Sequence, residues 1–444
     1  MDGNVHVYDR EAMSNPPLQA GTALATVQVT GFSILFPEEN VMRRMVVLSL
    51  DAMFDRDLAC YGEDSFLARW LEQAAVCTQV KTVFPALTYP AHTTLITGCD
   101  PADHGIGQNQ PFQPDTEARM RAWYWDAKDV RRESLLGAVK REGGRCASIL
   151  WPVTGKHPAV QWGFPEVLAL PGENQVLKML SYGTPGWVLR MELKHGRERR
   201  SIHEPDLSDY AVTLAEDLIR HQQPELTLVH LVDLDEMRHH HGVDSPEARQ
   251  AMARNEARVA RVWRAMQETP GMADALLVLV SDHGQADVSR TVNLEGALKD
   301  AGLAGTVRVQ SNGMSAYLFG EQPGAGRAEA FLRAQGARLG VSHVYSRVEL
   351  DALGCIAGPA FAVEAAQDVV FSDGLPQAKR EKATHGFGPG HPAENCLLAV
   401  RGKGVKPCRL DSMPMRDVAP TLAGLMGISL PQAKGRDRSG MMVL

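Results

Sequence analysis

Residues 45–51 read MVVLSLD, an apolar run that ends on an aspartate. Further short apolar runs follow along the chain: CASILW at 146–151, LTLVHLV at 226–232, ALLVLV at 275–280 and NCLLAVR at 395–401. Runs of this length are typical of strands that are buried on both faces, as in a parallel sheet. We therefore predict that each run forms a strand of one central sheet.

Helical patterns alternate with these runs. The spacing of apolar residues predicts helices over 64–75, 134–142, 207–221, 245–267 and 415–426. Strands that alternate with helices predict an α/β/α sandwich with a largely parallel central sheet. Two less regular stretches are interpreted as cap insertions, near 152–205 and 290–380, and residues 1–41 as a weakly ordered N-terminal extension.

Composition narrows the classes of function. With 444 residues, 44% of them hydrophobic, the chain can bury a large core. Its net charge of −7 gives no electrostatic case for a polymeric nucleic acid or an anionic membrane as partner. No run reaches the roughly 18 apolar residues of a spanning helix. The seven scattered cysteines and the acidic N-terminus favour a reduced, cytoplasmic protein.

Residues 84–109 read FPALTYPAHTTLITGCDPADHGIGQN, with Thr88 between two prolines and before a helical run. This pattern predicts an extended turn at Thr88 that ends as a helix begins. A helix N-terminus presents free N–H groups and partial positive charge, which favour a phosphate or a developing oxyanion. A threonine in such a turn is most often only a cap, so its role depends on the other motifs.

Carboxylates and imidazoles follow the predicted strands or lie in short motifs: Asp51, Asp235, Asp282, His239, His283 and His385. The carboxyl edge of an open α/β sheet is where such folds place their ligands. These ligand types suit zinc, with manganese or iron as alternatives. Six such ligands and the Thr88 oxygen are the right inventory for two metal ions that share one phosphate. The run His239-His240-His241 could also form a solvated surface cluster.

Taken together, these motifs resemble those of the type I phosphodiesterase/nucleotide pyrophosphatase family of the alkaline phosphatase superfamily. FPALTYPAHTTLITGCDPADHGI is similar to the family's nucleophile motif, and LDEMRHHHG resembles its D-x-x-x-H-x-x-G element. SDHG matches the superfamily's paired ligands, THGFG resembles its H-G-[YF] element, and DVAPTLAGLMGI its terminal helix. The resemblance runs from about residue 45 to 435, which makes 42–444 an alkaline phosphatase-like catalytic domain.

The resemblance also implies roles for single residues. It implies two metal sites, one formed by Asp51, Thr88, Asp282 and His283, the other by Asp235, His239 and His385. Asn109 resembles the asparagine with which the family holds a non-bridging phosphate oxygen. Tyr89 occupies the place of an aromatic residue that stacks on a base or aryl group, although it could equally pack under the cap. Gly388-Pro389-Gly390 departs from the family pattern and leaves His391 as a rival to His385.

The expected chemistry is hydrolysis of a small phosphorylated substrate through a phospho-threonine on Thr88, whose pKa metal coordination would lower. Threonine as nucleophile and Asn109 in place of an arginine clamp favour phosphodiesters or pyrophosphates over monoesters. The aromatic candidates for the leaving-group pocket are Trp151, Trp162 and Phe164. The alternatives are a phosphomonoesterase or phosphonate hydrolase of the same superfamily, and a non-catalytic metal-dependent binding protein.

Overall fold

The computed structural model of the chain describes residues 24–29, 32–37, 42–372 and 381–443. The chain divides into two compact units, residues 1–41 and 42–444. In the first unit, strands β1 (Leu24–Val29) and β2 (Phe32–Pro37) pair antiparallel. The other residues of the predicted extension lie outside the described residues, and its weak order stays a prediction.

The second unit alternates strands and helices. Its strands are β3 (Met45–Leu50), β4 (Ala75–Lys81), β5 (Cys146–Ile149), β6 (Val160–Phe164), β7 (Leu226–Leu231), β8 (Leu276–Val280), β9 (Ala286–Asp287), β10 (Arg290–Asn293), β11 (Arg308–Ser311), β12 (Ser315–Phe319), β13 (Val341–Tyr345), β14 (Phe361–Ala365), β15 (Val369–Ser372), β16 (Ala383–Thr384), β17 (Asn395–Arg401), β18 (Cys408–Arg409) and β19 (Met413–Pro414). Its helices are α1 (Phe66–Glu72), α2 (Thr88–Thr97), α3 (Pro101–His104), α4 (Leu135–Arg141), α5 (Gln175–Tyr182), α6 (Pro185–His195), α7 (Asp206–His221), α8 (Asp233–His241), α9 (Pro246–Glu268), α10 (Leu294–Asp300), α11 (Gly324–Gln335), α12 (Arg347–Ala352) and α13 (Val418–Met426). No described helix is both long and apolar enough to cross a membrane.

The central sheet has the strand order β18-β4-β17-β8-β3-β7-β5-β6, with β19 also paired to β4. Strands β8, β3, β7, β5 and β6 run parallel to one another. Strand β17 runs antiparallel to both of its neighbours, so the sheet is mixed but largely parallel. The predicted α/β sandwich is therefore confirmed, and each apolar run quoted above forms a strand of this sheet.

Helices cover both faces of the sheet. Alternate residues of β3 enter opposite cores: Val46 and Leu48 pack with residues of α1, α7 and α9, whereas Val47 packs with residues of α2, α4 and α13. Burying one such side chain fully contributes about 1.5–3 kcal/mol. A strand with a core on each face has to be apolar at successive positions, which explains the run MVVLSL.

Two stretches differ from the prediction or extend it. Within the predicted cap over 152–205, strand β6 pairs with β5 and forms the edge of the central sheet, so this part is framework. Its sequence VQWGF lacks an apolar run because its first three residues are only half-buried. Within 290–380, strands β11, β12, β14 and β13 form a second, antiparallel sheet over its own core. Strand β4 was not predicted, because Thr78 and Gln79 interrupt its apolar pattern. In the structure Thr78 is half-buried and Gln79 is exposed.

Candidate active site

Helix α2 begins at Thr88, and the preceding residue Leu87 has an extended backbone. The helix thus starts at Thr88, within the stretch for which an extended turn was predicted. Pro90 is tolerated there because it lies in the first turn of the helix, where backbone N–H groups have no partner inside the helix. All ten residues of α2 are buried. The Thr88 Oγ1 atom lies 3.2 Å from Nε2 of His283, at the carboxyl edge of the central sheet.

Strand order explains why distant residues meet at this edge. Strand β3 lies between β7 and β8, and the three strands run parallel. Asp51 directly follows β3, helix α8 with Asp235 follows β7, and the pair Asp282-His283 follows β8. The carboxyl ends of adjacent parallel strands share one edge, so these side chains come together there.

One candidate ligand group consists of Asp51, Asp282 and His283, whose ligand atoms all lie within 4.8 Å of one another. His283 Nε2 lies 3.1 Å from Oδ2 of Asp282 and 3.7 Å from Oδ1 of Asp51. These two carboxylate oxygens are buried, and neither has a hydrogen-bond partner within the described part of the chain. Buried anionic oxygens are costly unless a positive charge balances them, so this donor set fits a divalent cation.

A second candidate group consists of Asp235, His283 and His385, again within 4.8 Å. His239 belongs beside it, because its Nε2 lies 3.3 Å from Oδ2 of Asp235, one helical turn earlier on α8. The Nδ1 atoms of His239 and His385 each lie 2.9 Å from a backbone carbonyl oxygen, of Ala383 and Ala86 respectively. A ring that donates from Nδ1 keeps the Nε2 lone pair free for a metal ion.

The glycine of the THGFG motif holds His385 in place. Gly386 has a φ of 93°, in the left-handed region. A Cβ atom at this position would lie 1.7 Å from the carbonyl oxygen of Asn312, so only glycine allows this close approach.

Burial and neighbouring charges shift the pKa values of the cluster in opposite directions. Burial, together with the charge of Asp235, raises the pKa of Asp51 to about 6. Burial also raises the pKa of Asp282 well above its usual value and lowers the pKa of His283. Burial opposes ionisation of His239, but the charge of Asp235 outweighs it and raises the pKa of His239 to about 9. Such opposed shifts are typical of functional sites.

Two predicted residues stand apart from the cluster. His391 stacks on the ring of Phe387 with 4.1 Å between ring centroids, and it belongs to neither ligand group. His385, in contrast, belongs to the second group. Tyr89 is only 1% exposed, and its ring packs edge-on against Trp123. The ring is therefore packed, in line with one of its two predicted placements, and a substrate-binding role of Tyr89 stays a prediction.

A cleft of about 270 Å³ opens beside His239 and His385. Asn109 lines it, and the Asn109 Oδ1 atom accepts a hydrogen bond of 3.0 Å from the backbone N–H of Tyr89. Other residues absent from the predicted set also line the cleft: Gln108, Trp123, Gln310, Asn312 and Phe371. The second sheet supplies Gln310, and no local motif marks this residue in the sequence.

The aromatic residues predicted for the leaving-group pocket lie elsewhere. Trp151 is buried against the ring of His92, and Phe164 packs against Tyr210 in the core. Trp162 lies under the guanidinium of Arg145. None of these three belongs to the described lining of the cleft, because the strand that carries two of them is part of the sheet.

His230 is a site residue absent from the predicted set. It lies within β7 and is fully buried, with Nε2 at 2.9 Å from Oδ2 of Asp51. The signal was present in the sequence, because a histidine inside the apolar run LTLVHLV must satisfy two polar ring atoms in a core.

Comparison with known proteins identifies the family of the chain. The family model for type I phosphodiesterase/nucleotide pyrophosphatase matches residues 45–369. The chain belongs to this family. The match begins with β3 and extends to the first residue of β15, so it includes the parallel strands of the central sheet, strand β4 and the whole second sheet, whereas β17, β18 and β19 follow it.

Curated relatives of this phosphodiesterase family member are distant. Human ectonucleotide pyrophosphatase/phosphodiesterase family member 1 is 22% identical over 46% of this chain and 19% of its own length. An uncharacterized pyrophosphatase/phosphodiesterase of Schizosaccharomyces pombe is 22% identical over 63% of this chain and 57% of its own length. The chain thus spans less than two thirds of these relatives. Because some relatives are named as ectoenzymes, the cytoplasmic location expected from composition stays a prediction.

Solved structures share the fold of the family member. An inactive threonine-to-alanine variant of murine ectonucleotide pyrophosphatase/phosphodiesterase 5, in complex with AMP, superposes with a TM-score of 0.64 at 16% identity, covering 87% of this chain and 96% of that one. Phosphonoacetate hydrolase from Sinorhizobium meliloti 1021, in complex with phosphonoformate, superposes with a TM-score of 0.65 at 17% identity, covering 89% and 98%. Both likenesses establish the alkaline phosphatase-like fold.

Proposed function

We propose that the protein is a metal-dependent phosphodiesterase or nucleotide pyrophosphatase with Thr88 as its nucleophile. The observation that carries the proposal is the contact of 3.2 Å between Thr88 Oγ1 and His283 Nε2. His283 belongs to both candidate ligand groups, so the hydroxyl lies beside the place where two cations would be held. Small phosphorylated ligands, AMP and phosphonoformate, occupy the structural neighbours, which supports a substrate of that class.

The residues of this chain fit the two-metal inventory. The proposed ligands are Asp51, Thr88, Asp282 and His283 for one ion, and Asp235, His239 and His385 for the other. Two Zn²⁺ ions, or alternatively Mn²⁺ or Fe, would lower the pKa of the Thr88 hydroxyl and neutralise charge on the phosphoryl oxygens when bound. The orphaned buried oxygens of Asp51 and Asp282 support this assignment.

The chemical step follows from where Thr88 lies. Thr88 Oγ1 gives up its proton to water and forms a bond to phosphorus, while the bond between phosphorus and the leaving oxygen breaks and that oxygen takes up a proton from water. This leaves a phospho-threonine, which water then hydrolyses to regenerate the hydroxyl. The N–H groups in the first turn of α2 favour the negative charge of the phosphoryl group, and Asn109 Nδ2 donates to one of its oxygens.

A diester or pyrophosphate is the substrate class that these groups favour. Asn109 offers one neutral amide donor, which suits the single charge of a diester better than the double charge of a monoester. A phosphonate hydrolase on the same fold is the main alternative, since the neighbour with bound phosphonoformate is named as one. Because that likeness concerns the fold alone, the substrates have to be compared directly.

The test is hydrolysis of bis(p-nitrophenyl) phosphate and of p-nitrophenyl phosphate, side by side, with metal-loaded and chelator-stripped protein. We expect metal-dependent turnover with preference for the diester. Thr88→Ala should abolish turnover while two ions stay bound, and Thr97→Ala, a change at the other end of α2, should leave turnover intact. A preference for the monoester would overturn the substrate class. No turnover of either compound by metal-loaded protein would overturn the phosphoesterase proposal.

A further inference from the structure

His230 contacts hydrogen-bond acceptors at both nitrogens of its ring. Nε2 lies 2.9 Å from Oδ2 of Asp51. Nδ1 lies 2.9 Å from Oε2 of Glu166 and 3.1 Å from the carbonyl oxygen of Leu150. The carbonyl oxygen of Leu150 can only accept, so Nδ1 donates, and Nε2 donates to Oδ2 of Asp51 when that carboxyl group is ionised. The His230 side chain is 1% exposed, so these partners take the place of water.

The hydrogen bond to His230 gives the two carboxylate oxygens of Asp51 different environments. Oδ2 faces the imidazole at hydrogen-bond distance, whereas Oδ1 accepts no hydrogen bond from the residues that the structure describes. Oδ1 lies on the side of His283, 3.7 Å from its Nε2. A hydrogen bond to one oxygen fixes the plane of a carboxylate, so Oδ1 is presented as a single, oriented ligand atom.

Glu166 in turn is held at both of its oxygens. Oε1 accepts a hydrogen bond of 3.0 Å from the hydroxyl of Tyr89, and Oε2 faces His230. The backbone N–H of Tyr89 donates to Asn109. One line of hydrogen bonds therefore joins the segment after β6 to the strand end that carries Asp51, and passes directly beside the nucleophile Thr88.

We propose that Glu166 and His230 are positioning residues that orient Asp51 for the cation shared by Asp51, Asp282 and His283. The inference rests on the metal site of the proposed function. It is specific to that one ion, because neither Glu166 nor His230 forms a hydrogen bond or ion pair with Asp235, His239 or His385 in the described structure. Partners of this kind support metal ligands, and their loss costs about 10- to 100-fold in metal affinity.

The experiment compares Glu166→Gln and His230→Gln with Glu192→Gln. Glu192 is a matched control, because it accepts a hydrogen bond of 3.0 Å from the hydroxyl of Tyr210 just as Glu166 does from Tyr89, but lies in α6. Zn²⁺ is titrated into chelator-stripped protein against a competing chelator, and both binding steps are resolved. Thermal unfolding of the metal-free proteins is recorded alongside.

In Glu166→Gln and His230→Gln we expect about 10- to 100-fold weaker binding of one of the two ions and wild-type affinity for the other. The control Glu192→Gln should bind both ions with wild-type affinity. If His230→Gln fails to fold, the more conservative Glu166→Gln decides alone. Wild-type affinities for both ions in Glu166→Gln would overturn the inference, and so would equal weakening of both steps together with a lower melting temperature. Wild-type protein that binds two ions without hydrolysing a phosphoester would overturn the proposed function but leave this inference standing.

Discussion

Asn109 uses the two ends of its amide differently. Its Oδ1 accepts from the backbone N–H of Tyr89, a group that can only donate, so the orientation of the amide is settled. Its Nδ2 is then the end available to a ligand in the cleft that Asn109 lines with His385. One residue thereby holds the start of α2 and, under the proposed function, offers a donor to the phosphoryl group.

Substitutions at Asn109 should separate these two roles. Asn109→Asp keeps an acceptor for Tyr89 but replaces the donor by an anion, and we expect kcat/KM to fall by at least about 10²-fold with unchanged stability. Asn109→Ala should lose similar activity and also about 1–3 kcal/mol of unfolding free energy, because a buried N–H loses its partner. Steady-state kinetics and urea denaturation measure both. Near wild-type turnover of Asn109→Asp would contradict the assignment.

At the scale of elements, helix α8 is fixed to the segment after β3 by a buried ion pair. Arg238 is 1% exposed, and its Nη2 lies 2.6 Å from Oδ1 of Asp57. Its other terminal nitrogen donates to Asp57 and to the carbonyl oxygen of Ala52. The pair thus joins the helix that carries Asp235 to the loop that follows Asp51.

Removing one partner of this pair should be costly. Asp57→Ala leaves a buried, unpaired guanidinium, and we expect a loss of about 3–5 kcal/mol in unfolding free energy. Asp244→Ala is the matched control, because its pair with Arg56 spans 2.9 Å but is exposed on both sides, and should change stability by less than about 1 kcal/mol. Urea denaturation compares the two, and similar losses in both variants would contradict the role of burial.

Glu204, just before α7, should make stability depend on pH. Burial raises the pKa of its carboxyl from 4.5 to about 7. Between these values the folded chain binds a proton that the unfolded chain releases, so the free energy of unfolding falls as pH rises through this window. Glu204→Gln should therefore be more stable than wild type at pH 8, with the difference shrinking at pH 4.5. Glu63→Gln, at an exposed position, is the control; a difference independent of pH would refute the prediction.

At the scale of the molecule, the sequence determines the centre of the fold more visibly than its edges. Strand β3 has a core on each face, so its apolar run is unmistakable, whereas the edge strand β6 is half-exposed and carries no such run. Thr88 and its neighbours lie in a local motif and were predictable. Glu166 and Gln310 reach the site from separate segments, and long-range assembly of this kind leaves no pattern in the local sequence.

The carboxylates of the candidate metal site should destabilise the folded protein when no metal ion is bound. Asp282 is fully buried beside Asp51, and its Oδ2 accepts no hydrogen bond in the described structure, although Nε2 of His283 lies 3.1 Å away. Asp282→Asn keeps an oxygen that accepts from the N–H of Ala52 but removes one buried charge. In the presence of a chelator we therefore expect the variant to be more stable than wild type, with a free energy of unfolding higher by on the order of 1 kcal/mol or more.

With added Zn²⁺, wild type should become more stable than Asp282→Asn. A ligand present at 1,000 times its dissociation constant stabilises the folded state by about 4 kcal/mol, and only wild type retains the full ligand set. Urea denaturation with and without Zn²⁺ measures both arms, and Asp244→Asn, at an exposed carboxylate, controls for the loss of charge. A variant less stable than wild type in chelator would mean that Asp282 stabilises the fold without a cation, contrary to a site built to hold one.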